Sequence, residues 1–276
     1  MVKAKAEPKT RLDEYLVRDG RLDGLKAAQA WIMSGKVVVD GIVITKPGTL
    51  LARQAKVSLR GIQSRFASRG GFKLEKALSR FGIDVGGLTC MDAGASTGGF
   101  TDCLLQHGAA KVYAVEVGYG QLLGRLALDP RVVSLEKTNV AEMTRDRLDR
   151  PLDFACGDLS YLSLTKAVPI LADLFDGTPH LAMLVKPLYE GLAQDDITNP
   201  AALEEVLDRL VGSLGSIGHP PSDACVSPIK GGRGAIEFLF HFGGANPPVT
   251  GRGVVIAAMD DLVASPPVED EAELTK

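Results

Sequence analysis

The residues from Asp92 to Phe100 have the spacing of a ligand-binding loop, Asp-x-Gly-x-x-x-Gly-Gly-Phe. A triphosphate-binding loop would need Lys followed by Ser or Thr after the last glycine, where Phe100 stands. A dinucleotide-binding loop would need a glycine two residues after Gly94, to let the backbone approach a pyrophosphate, and Ser96 occupies that place. A carboxylate at Asp92 would repel phosphates. The loop therefore favours a cationic ligand, such as a sulfonium or ammonium group.

Two further polar side chains fall where an adenosine could bind. Glu116 ends the next predicted strand, 24 residues after Asp92, and an acid there can accept both ribose hydroxyls. Asn139 follows the third strand and could flank an adenine edge. These features together fit S-adenosylmethionine (SAM) better than NAD; the alternative is a tight strand-to-helix turn with incidental acids. The candidate cofactor-binding residues are Asp92, Gly94, Ser96, Thr97, Gly98, Gly99, Phe100, Glu116, Val117, Asn139 and Asp158.

Four charged residues could catalyse methylation of a ribose hydroxyl. They are Lys73, which opens a helix, Asp158 and Lys186, which end strands, and Glu237, in a late hairpin. Ligands bind at the carboxyl ends of strands in open α/β sheets, so we expect these side chains to converge there. Burial and a second lysine would lower the pKa of Lys186 and make it a base, oriented by Asp158 and Glu237. Lys73 would depress that pKa or hold the hydroxyl. The alternative for each residue alone is an ordinary salt bridge.

Short apolar strands that alternate with helices predict a parallel sheet over the larger part of the chain. A helix is predicted at residues 73–81, and two others are Phe100–His107 and Ala201–Leu214. Near the end, two apolar segments flank the glycine-rich turn Lys230–Gly234, which predicts a hairpin and an antiparallel strand at the sheet edge. The predicted parallel strands are Thr89–Asp92, Val112–Val117, Val132–Leu135, Leu152–Gly157 and Leu181–Val185.

Residues 11–60 predict a separate small α+β unit. Apolar residues at helical spacing indicate one helix from Arg11 and another that ends before Gly35. Asp40-Gly41, between two β-branched runs, indicates a two-residue hairpin, and a further strand is predicted at Ala55–Leu59.

Charge is distributed unevenly. Residues 1–75 carry 15 Lys and Arg against 7 Asp and Glu, whereas the remaining 201 residues carry 16 against 27. A basic front indicates a polyanionic partner, and the alternative is a solvated surface. The candidate RNA-binding residues are Arg11, Arg18, Arg21, Lys26, Lys36, Lys46, Arg65 and Arg69.

The four cysteines and four histidines have no metal-ligand spacing, so we expect no metal site and buried, reduced thiols. Neither a secretory signal nor an apolar run long enough to span a bilayer is visible, which predicts a cytoplasmic protein without a membrane partner.

The segments Arg11-Leu-Asp, Ala28–Gly41 and Thr45–Gly48 resemble the RNA-binding module named after small-subunit ribosomal protein four. That module usually has Ser-Arg where this chain has Gly24-Leu25.

A second resemblance covers nearly the whole chain. Ser68–Leu74, Asp92–Phe100, Val117–Leu122, Gly157–Leu164, Leu184–Pro187 and Ser227–Gly231 resemble the TlyA family, whose members are often labelled hemolysin and are similar to FtsJ-type RNA 2′-O-methyltransferases. The resemblance implies a SAM-dependent enzyme that methylates the 2′-hydroxyl of cytidine in 16S or 23S ribosomal RNA, with ribosomal subunits as partners. It also implies a catalytic Lys-Asp-Lys-Glu tetrad at Lys73, Asp158, Lys186 and Glu237. The chain departs from the family pattern at Leu188-Tyr189, in the loop that follows, and at Ala235.

The predicted fold is thus α/β. It is a Rossmann-like SAM-dependent methyltransferase fold, with a mostly parallel central sheet, a late antiparallel strand and helices on both faces, plus the small RNA-binding domain. The expected divisions are a loose tail at 1–10, the RNA-binding domain at 11–60, a polar linker at 61–69, the methyltransferase domain at 70–262 and an acidic, disordered tail at 263–276. A catalytically silent RNA-binding or ribosome-assembly factor is the alternative function, a membrane-lytic hemolysin is a weaker one, and a monomer is the expected state.

Overall fold

The computed structural model describes residues 10–18, 22, 24–52, 55–59, 65–160, 162–243 and 251–268. They form two units, one within residues 1–63 and the other within residues 64–274. The domain limits expected from the sequence stay predictions at the level of single residues.

The small unit contains two helices and short antiparallel strands. Asp40 and Gly41 have φ angles of 51° and 82°, and they join two strands in which Val39 pairs with Ile42, so the predicted hairpin is confirmed. The last strand of the unit, which contains Val57, pairs with the other edge of the strand that contains Val39. A two-residue pairing of Thr10–Arg11 with Leu50–Leu51 was not predicted. The elements are β1 (Thr10–Arg11), α1 (Leu12–Arg18), α2 (Leu25–Met33), β2 (Val37–Val39), β3 (Ile42–Ile44), β4 (Leu50–Leu51) and β5 (Val57–Leu59).

The large unit is built on a seven-stranded sheet with the order β11-β12-β10-β9-β6-β7-β8. Its elements are α3 (Gly70–Phe81), β6 (Thr89–Ala93), α4 (Gly99–Gln106), β7 (Lys111–Val115), α5 (Gly124–Ala127), β8 (Val132–Leu135), β9 (Phe154–Gly157), α6 (Leu164–Ala172), β10 (Leu181–Val185), α7 (Pro200–Ser216), β11 (Asp223–Val226), β12 (Phe238–Phe242) and α8 (Arg252–Ala264). The strands β10, β9, β6, β7 and β8 pair in parallel, which confirms the mostly parallel sheet.

The late antiparallel strand is confirmed, but its predicted position at the sheet edge is wrong. β12 lies between β10 and β11 and pairs antiparallel with both. Phe238, Leu239 and Phe240 are each fully buried. Both faces of this strand are covered, and the run Phe-Leu-Phe-His-Phe is nearly continuous in apolar residues for that reason.

Helices cover both faces of the sheet, as predicted. One buried apolar cluster joins the sheet to α6, α7 and α8, and the other joins it to α3, α4 and Leu126 of α5. The carboxyl ends of the parallel strands are left between these layers, where the connecting loops can line cavities. Within the described ranges, no helix has both the length and the apolar character needed to cross a bilayer.

Parts of the predicted linker and of the predicted disordered tail pack within the large unit where the structure describes them. Phe66 is 1% exposed, and the Ala67 amide donates to Asp102 Oδ2 at 2.7 Å, so residues 65–69 are not a free polar linker. Val268 pairs with Ile229, its amide donates to the Pro228 carbonyl at 2.9 Å, and it accepts from the Lys230 amide at 2.9 Å. Buried apolar side chains and backbone pairing order both segments.

Candidate active site

The glycine loop connects β6 to α4. A Cβ at Gly94, where φ is 86°, would lie 2.8 Å from the Asp158 carbonyl oxygen, and one at Gly99 would collide with Ser68 Oγ. Gly98, at φ 99°, lies instead against Leu122 and Leu126, where a Cβ would collide with both side chains. The open side of the loop forms a cavity that we call the loop cavity. It is lined by Ser68, Arg69, Gly70, Lys73, Asp92, Gly94, Ala95, Ser96, Thr97, Gly99, Phe100 and Asp158.

Asp92 is fully buried on the wall of the loop cavity. Its Oδ2 accepts hydrogen bonds from the Thr101 amide at 2.8 Å and from Thr101 Oγ1 at 2.7 Å. Burial raises the pKa of Asp92 to about 7, against the lowering effect of the Thr101 hydrogen bonds. The expected full negative charge is therefore corrected to a carboxyl group that is only partly ionised at neutral pH.

The adenosine candidates line a second cavity, which we call the strand-end cavity. Glu116 accepts from the Ser96 amide at 2.9 Å and from the Gly118 amide at 2.8 Å, one with each oxygen. Each carboxylate oxygen can accept a further hydrogen bond, so Glu116 retains capacity for ribose hydroxyls. Asn139 Oδ1 accepts from the Ala141 amide at 3.0 Å. The lining residues are Gly94, Ser96, Val115, Glu116, Val117, Thr138, Asn139, Val140, Asp158, Leu159, Ser160 and Leu162.

The structure brings the four predicted catalytic residues into one chain of ionic contacts. Lys73 Nζ lies 2.5 Å from Glu237 Oε2 and 3.9 Å from Asp158 Oδ2. Lys186 Nζ is in ion-pair contact with Asp158 Oδ1, although that oxygen lacks hydrogen-bond geometry, and it donates to Ser160 Oγ at 3.2 Å. Glu237 therefore contacts Lys73 and not Lys186, so any influence on Lys186 passes through Lys73 and Asp158.

Burial differs along this chain of contacts. The Lys73 and Glu237 side chains are 10% and 7% exposed, whereas Asp158 is 27% exposed. Gly231 lies so close to the Glu237 carboxylate that a Cβ there would collide with it. The inner pair is thus fixed by packing, and the outer pair faces the open side of the site.

A third cavity lies on the other side of the tetrad, and we call it the acceptor cavity. It is lined by Lys186, Pro187, Leu188, Tyr189, Gln194, Gly232, Arg233, Ala235 and Glu237. The loop cavity contains Lys73 and Asp158, and the acceptor cavity contains Lys186 and Glu237, so the tetrad separates the two. Sequence reasoning missed Tyr189, Gln194, Arg233 and Ser160. For Arg233 the sequence offered one signal, its place between two glycines. The structure holds it at a φ of 60°, which is rare for a side-chain-bearing residue.

Glu190 is another residue that the sequence did not single out. Its Oε2 accepts from Ser163 Oγ at 2.7 Å, and its Oε1 accepts from the Leu164 amide at 3.0 Å. These bonds tie the turn after β10, Pro187–Glu190, to the first turn of α6. The turn that begins at Lys186 is therefore held against the segment that carries Asp158 and Ser160.

The RNA-binding candidates fall into three groups. Arg18, Lys26, Lys36 and Lys46 are exposed on the small unit. Arg11 forms two hydrogen bonds with Asp13, whose pKa this contact lowers to about 2, and Arg21 lies outside the described residues. Arg65 and Arg69 belong to the large unit, where Arg65 pairs with Glu75 at 2.6 Å and Arg69 lines the loop cavity.

The four cysteines are free and buried, as expected from their settings. In the described part of the chain, no group of three or more His, Cys, Asp or Glu side chains could hold a metal ion.

Comparisons with known proteins show which families the two units match. The FtsJ-like methyltransferase model matches residues 66–243, and the S4 domain model matches residues 10–57. Hemolysin A of Brachyspira hyodysenteriae is 37% identical over 84% of this chain and 99% of its own length. The 16S/23S rRNA (cytidine-2′-O)-methyltransferase TlyA of Mycobacterium tuberculosis is 42% identical over 66% of this chain and 68% of its own length.

A solved structure named as a hemolysin, from Streptococcus thermophilus, is 35% identical, covers 94% of this chain and 98% of its own, and has a TM-score of 0.66. The chain is thus similar to one group of proteins both in sequence and in structure. The chain belongs to the FtsJ-like methyltransferase family, within its hemolysin A and TlyA group, and carries an N-terminal S4 domain.

Proposed function

We propose that the protein transfers a methyl group from SAM to the 2′-hydroxyl of cytidine in ribosomal RNA. The observation that carries the proposal is the position of the tetrad between two cavities. One cavity borders the glycine loop and the other opens beside Lys186 and Glu237. A methyl donor and an acceptor hydroxyl could therefore approach from opposite sides, as an in-line displacement requires.

Features of the loop and strand-end cavities fit SAM, which would supply a methyl group on a positively charged sulfur. Asp92 Oδ1 is buried without a hydrogen-bond partner among the described residues, so a polar group of a ligand could complete it. Gly94 keeps the loop close to the Asp158 backbone, where a side chain would intrude. Glu116 and Asn139, at the strand-end cavity, would hold the adenosine.

Lys186 is the proposed base. Lys186 lines the acceptor cavity, and Asp158 and Ser160 orient its Nζ. The amine would accept the proton of the 2′-hydroxyl while the oxygen forms a bond to the methyl carbon, and the broken carbon–sulfur bond would leave its electrons on sulfur. Asp158 would stabilise the ammonium that results. Lys73, held by Glu237, would fix Asp158 from the other side.

The RNA side of the proposal depends on the S4 domain and on the relatives. The M. tuberculosis relative is named for the 2′-hydroxyl of cytidine in 16S and 23S rRNA. The exposed Arg18, Lys26, Lys36 and Lys46 could contact phosphates. An rRNA substrate would place the reaction in the cytoplasm, with ribosomal subunits as partners.

The proposal is tested by incubating the protein with labelled SAM and separated 30S and 50S subunits, followed by mapping of the modified nucleotide. We expect label on a cytidine 2′-oxygen of at least one subunit. SAM binding without transfer to either subunit would instead favour a catalytically silent RNA-binding factor.

A further inference from the structure

We propose that the acceptor cavity is a nucleobase site in which the ring of Tyr189 stacks on the base of the nucleotide to be methylated. This inference rests on the proposed function, because the ligand is the acceptor nucleotide of an RNA. It assigns a role to a residue at which the chain departs from its family pattern.

Tyr189 is partly exposed, and its ring is close to the proposed base. Tyr189 is 46% exposed on the wall of the acceptor cavity, and Lys186 Nζ lies 5.8 Å from its ring centroid. The 2′-hydroxyl of a nucleoside is only a few ångströms from its base. A base stacked on this ring would thus bring that hydroxyl within reach of Lys186 Nζ.

The turn that carries Tyr189 is fixed at both ends. At its start, the Tyr189 amide donates to the Lys186 carbonyl at 2.8 Å. At its end, Glu190 accepts from Ser163 Oγ at 2.7 Å and from the Leu164 amide at 3.0 Å. A ring presented by a fixed turn loses little freedom when a base covers it, which favours its use as a stacking surface.

The other lining of the cavity suits a nucleotide rather than an apolar protein segment. Arg233, which is exposed and held at φ 60°, and Lys186 provide positive charge that would meet flanking phosphates. Gln194 provides an amide that can both donate to and accept from a base edge. Cations beside a partly exposed aromatic side chain form the combination that binds unpaired nucleotides in other proteins.

The first experiment compares Tyr189→Ala with Tyr189→Phe in methyl transfer from labelled SAM to the ribosomal subunit that the wild-type protein modifies. Loss of the ring should lower kcat/KM for RNA by about 10- to 100-fold, whereas Phe, which keeps the ring, should stay within about threefold of wild type. The SAM dissociation constant should not change in either variant. Ile217→Ala, which shortens an exposed apolar side chain at the end of α7, is the control. A Tyr189→Ala enzyme within twofold of wild type overturns the inference.

The second experiment uses the wild-type protein and does not require turnover. A short single-stranded RNA that contains 5-iodocytidine is irradiated with the protein, and the crosslinked peptide is identified by mass spectrometry. Crosslinking at Tyr189 supports the nucleobase site even if no methyl transfer is seen, in which case the proposed reaction alone fails. Crosslinks only at residues outside the acceptor cavity overturn the site, even if the wild-type enzyme is active.

Discussion

The paired strands β10 and β12 have a different cluster of polar side chains at each end. Four charged side chains lie in contact at the end where β10 finishes. Two imidazoles lie in contact at the opposite end. His180 precedes β10, His241 lies in β12, and their Nε2 atoms are 2.9 Å apart. The Phe81 ring stacks on His241 with centroids 5.1 Å apart, and Phe154 meets His180 edge-on. Burial lowers the pKa of both imidazoles, to about 4 for His241, so this end is neutral at pH 7.

The difference lies in what completes each cluster. The imidazole pair is closed by protein groups, since Ser222 Oγ also lies 3.2 Å from His241 Nδ1. The charged cluster borders cavities on two sides, and its outer members remain partly exposed. Of these two clusters, the one that ligands can reach is charged, whereas the one that only supports the fold is neutral and covered. Four experiments test whether the two ends of the strand pair differ in this way.

The largest effect is expected at Lys186. Replacing it with alanine should reduce kcat for methyl transfer by about 1000-fold, because general-base catalysis is lost, while SAM affinity stays within about twofold. The measurements are labelled transfer to ribosomal subunits and calorimetric SAM titration. Lys166→Ala, which removes an exposed lysine on α6, serves as the control and should retain activity. A Lys186→Ala enzyme with substantial turnover would refute the assignment of the base.

Glu237→Gln tests whether the inner part of the charged cluster is structural as well. It removes the charge opposite the buried Lys73 ammonium, and breaking a buried pair should lower the free energy of unfolding by about 3 kcal/mol. Glu205→Gln breaks an exposed pair with Arg209 and should cost less than about 1 kcal/mol. Urea unfolding of both variants gives the comparison. Equal losses would mean that burial does not distinguish the two pairs.

The imidazole end predicts a pH dependence. Unfolded imidazoles titrate near pH 6.5, and His241 titrates near pH 4 in the folded protein. At this side chain the unfolded state therefore binds more protons between these values, which should lower the free energy of unfolding by about 2 kcal/mol from pH 7 to pH 5. Asp92, whose pKa burial raises to about 7, should act in the opposite direction over the same range. Denaturant unfolding at several pH values measures it. His241→Gln should lose the imidazole contribution, so its free energy of unfolding relative to wild type should be about 2 kcal/mol higher at pH 5 than at pH 7. His219→Gln, away from the pair, should show no such change relative to wild type. An unchanged slope in His241→Gln would place the pH dependence elsewhere.

The smallest effect is expected at Glu190, whose side chain bonds to Ser163 and Leu164 and not to the four side chains of the charged cluster. Glu190→Ala removes the tie between the Lys186 turn and α6 and should lower kcat about tenfold with KM nearly unchanged. Glu190→Gln, which can still accept one of the two hydrogen bonds, should recover most of the loss. Steady-state kinetics measure both, with Glu205→Ala as the control. A rise in KM at constant kcat would show that Glu190 serves RNA binding and not the position of Lys186.

Local features of the fold were predictable because the signals lie within a few residues. Asp40-Gly41 predicted its hairpin, and Val132–Leu135 and Leu181–Val185 were predicted with their observed bounds. The place of β12 between β10 and β11 was not predictable, because strand order depends on packing and not on periodicity. The burial of Phe66 and the pairing of Val268 were missed for the same reason.

The candidate site was also predictable only in part. Residue types and strand ends indicated that Lys73, Asp158, Lys186 and Glu237 would lie together, and they are in contact. Their pairing could not be derived, because it depends on side-chain distances of a few ångströms. The partial neutrality of Asp92 was missed because the sequence does not give its degree of burial.

The insertion of β12 between two strands that precede it in the chain affects how the protein folds during synthesis. β11 leaves the ribosome before β12, yet it joins the sheet only through β12. Until residues 238–242 are available, β10 has an unpaired edge and the apolar core below it is unsealed. Glu237 arrives with the same strand. A nascent chain therefore completes its sheet and its tetrad in one event, and a chain that stops before β12 can form neither.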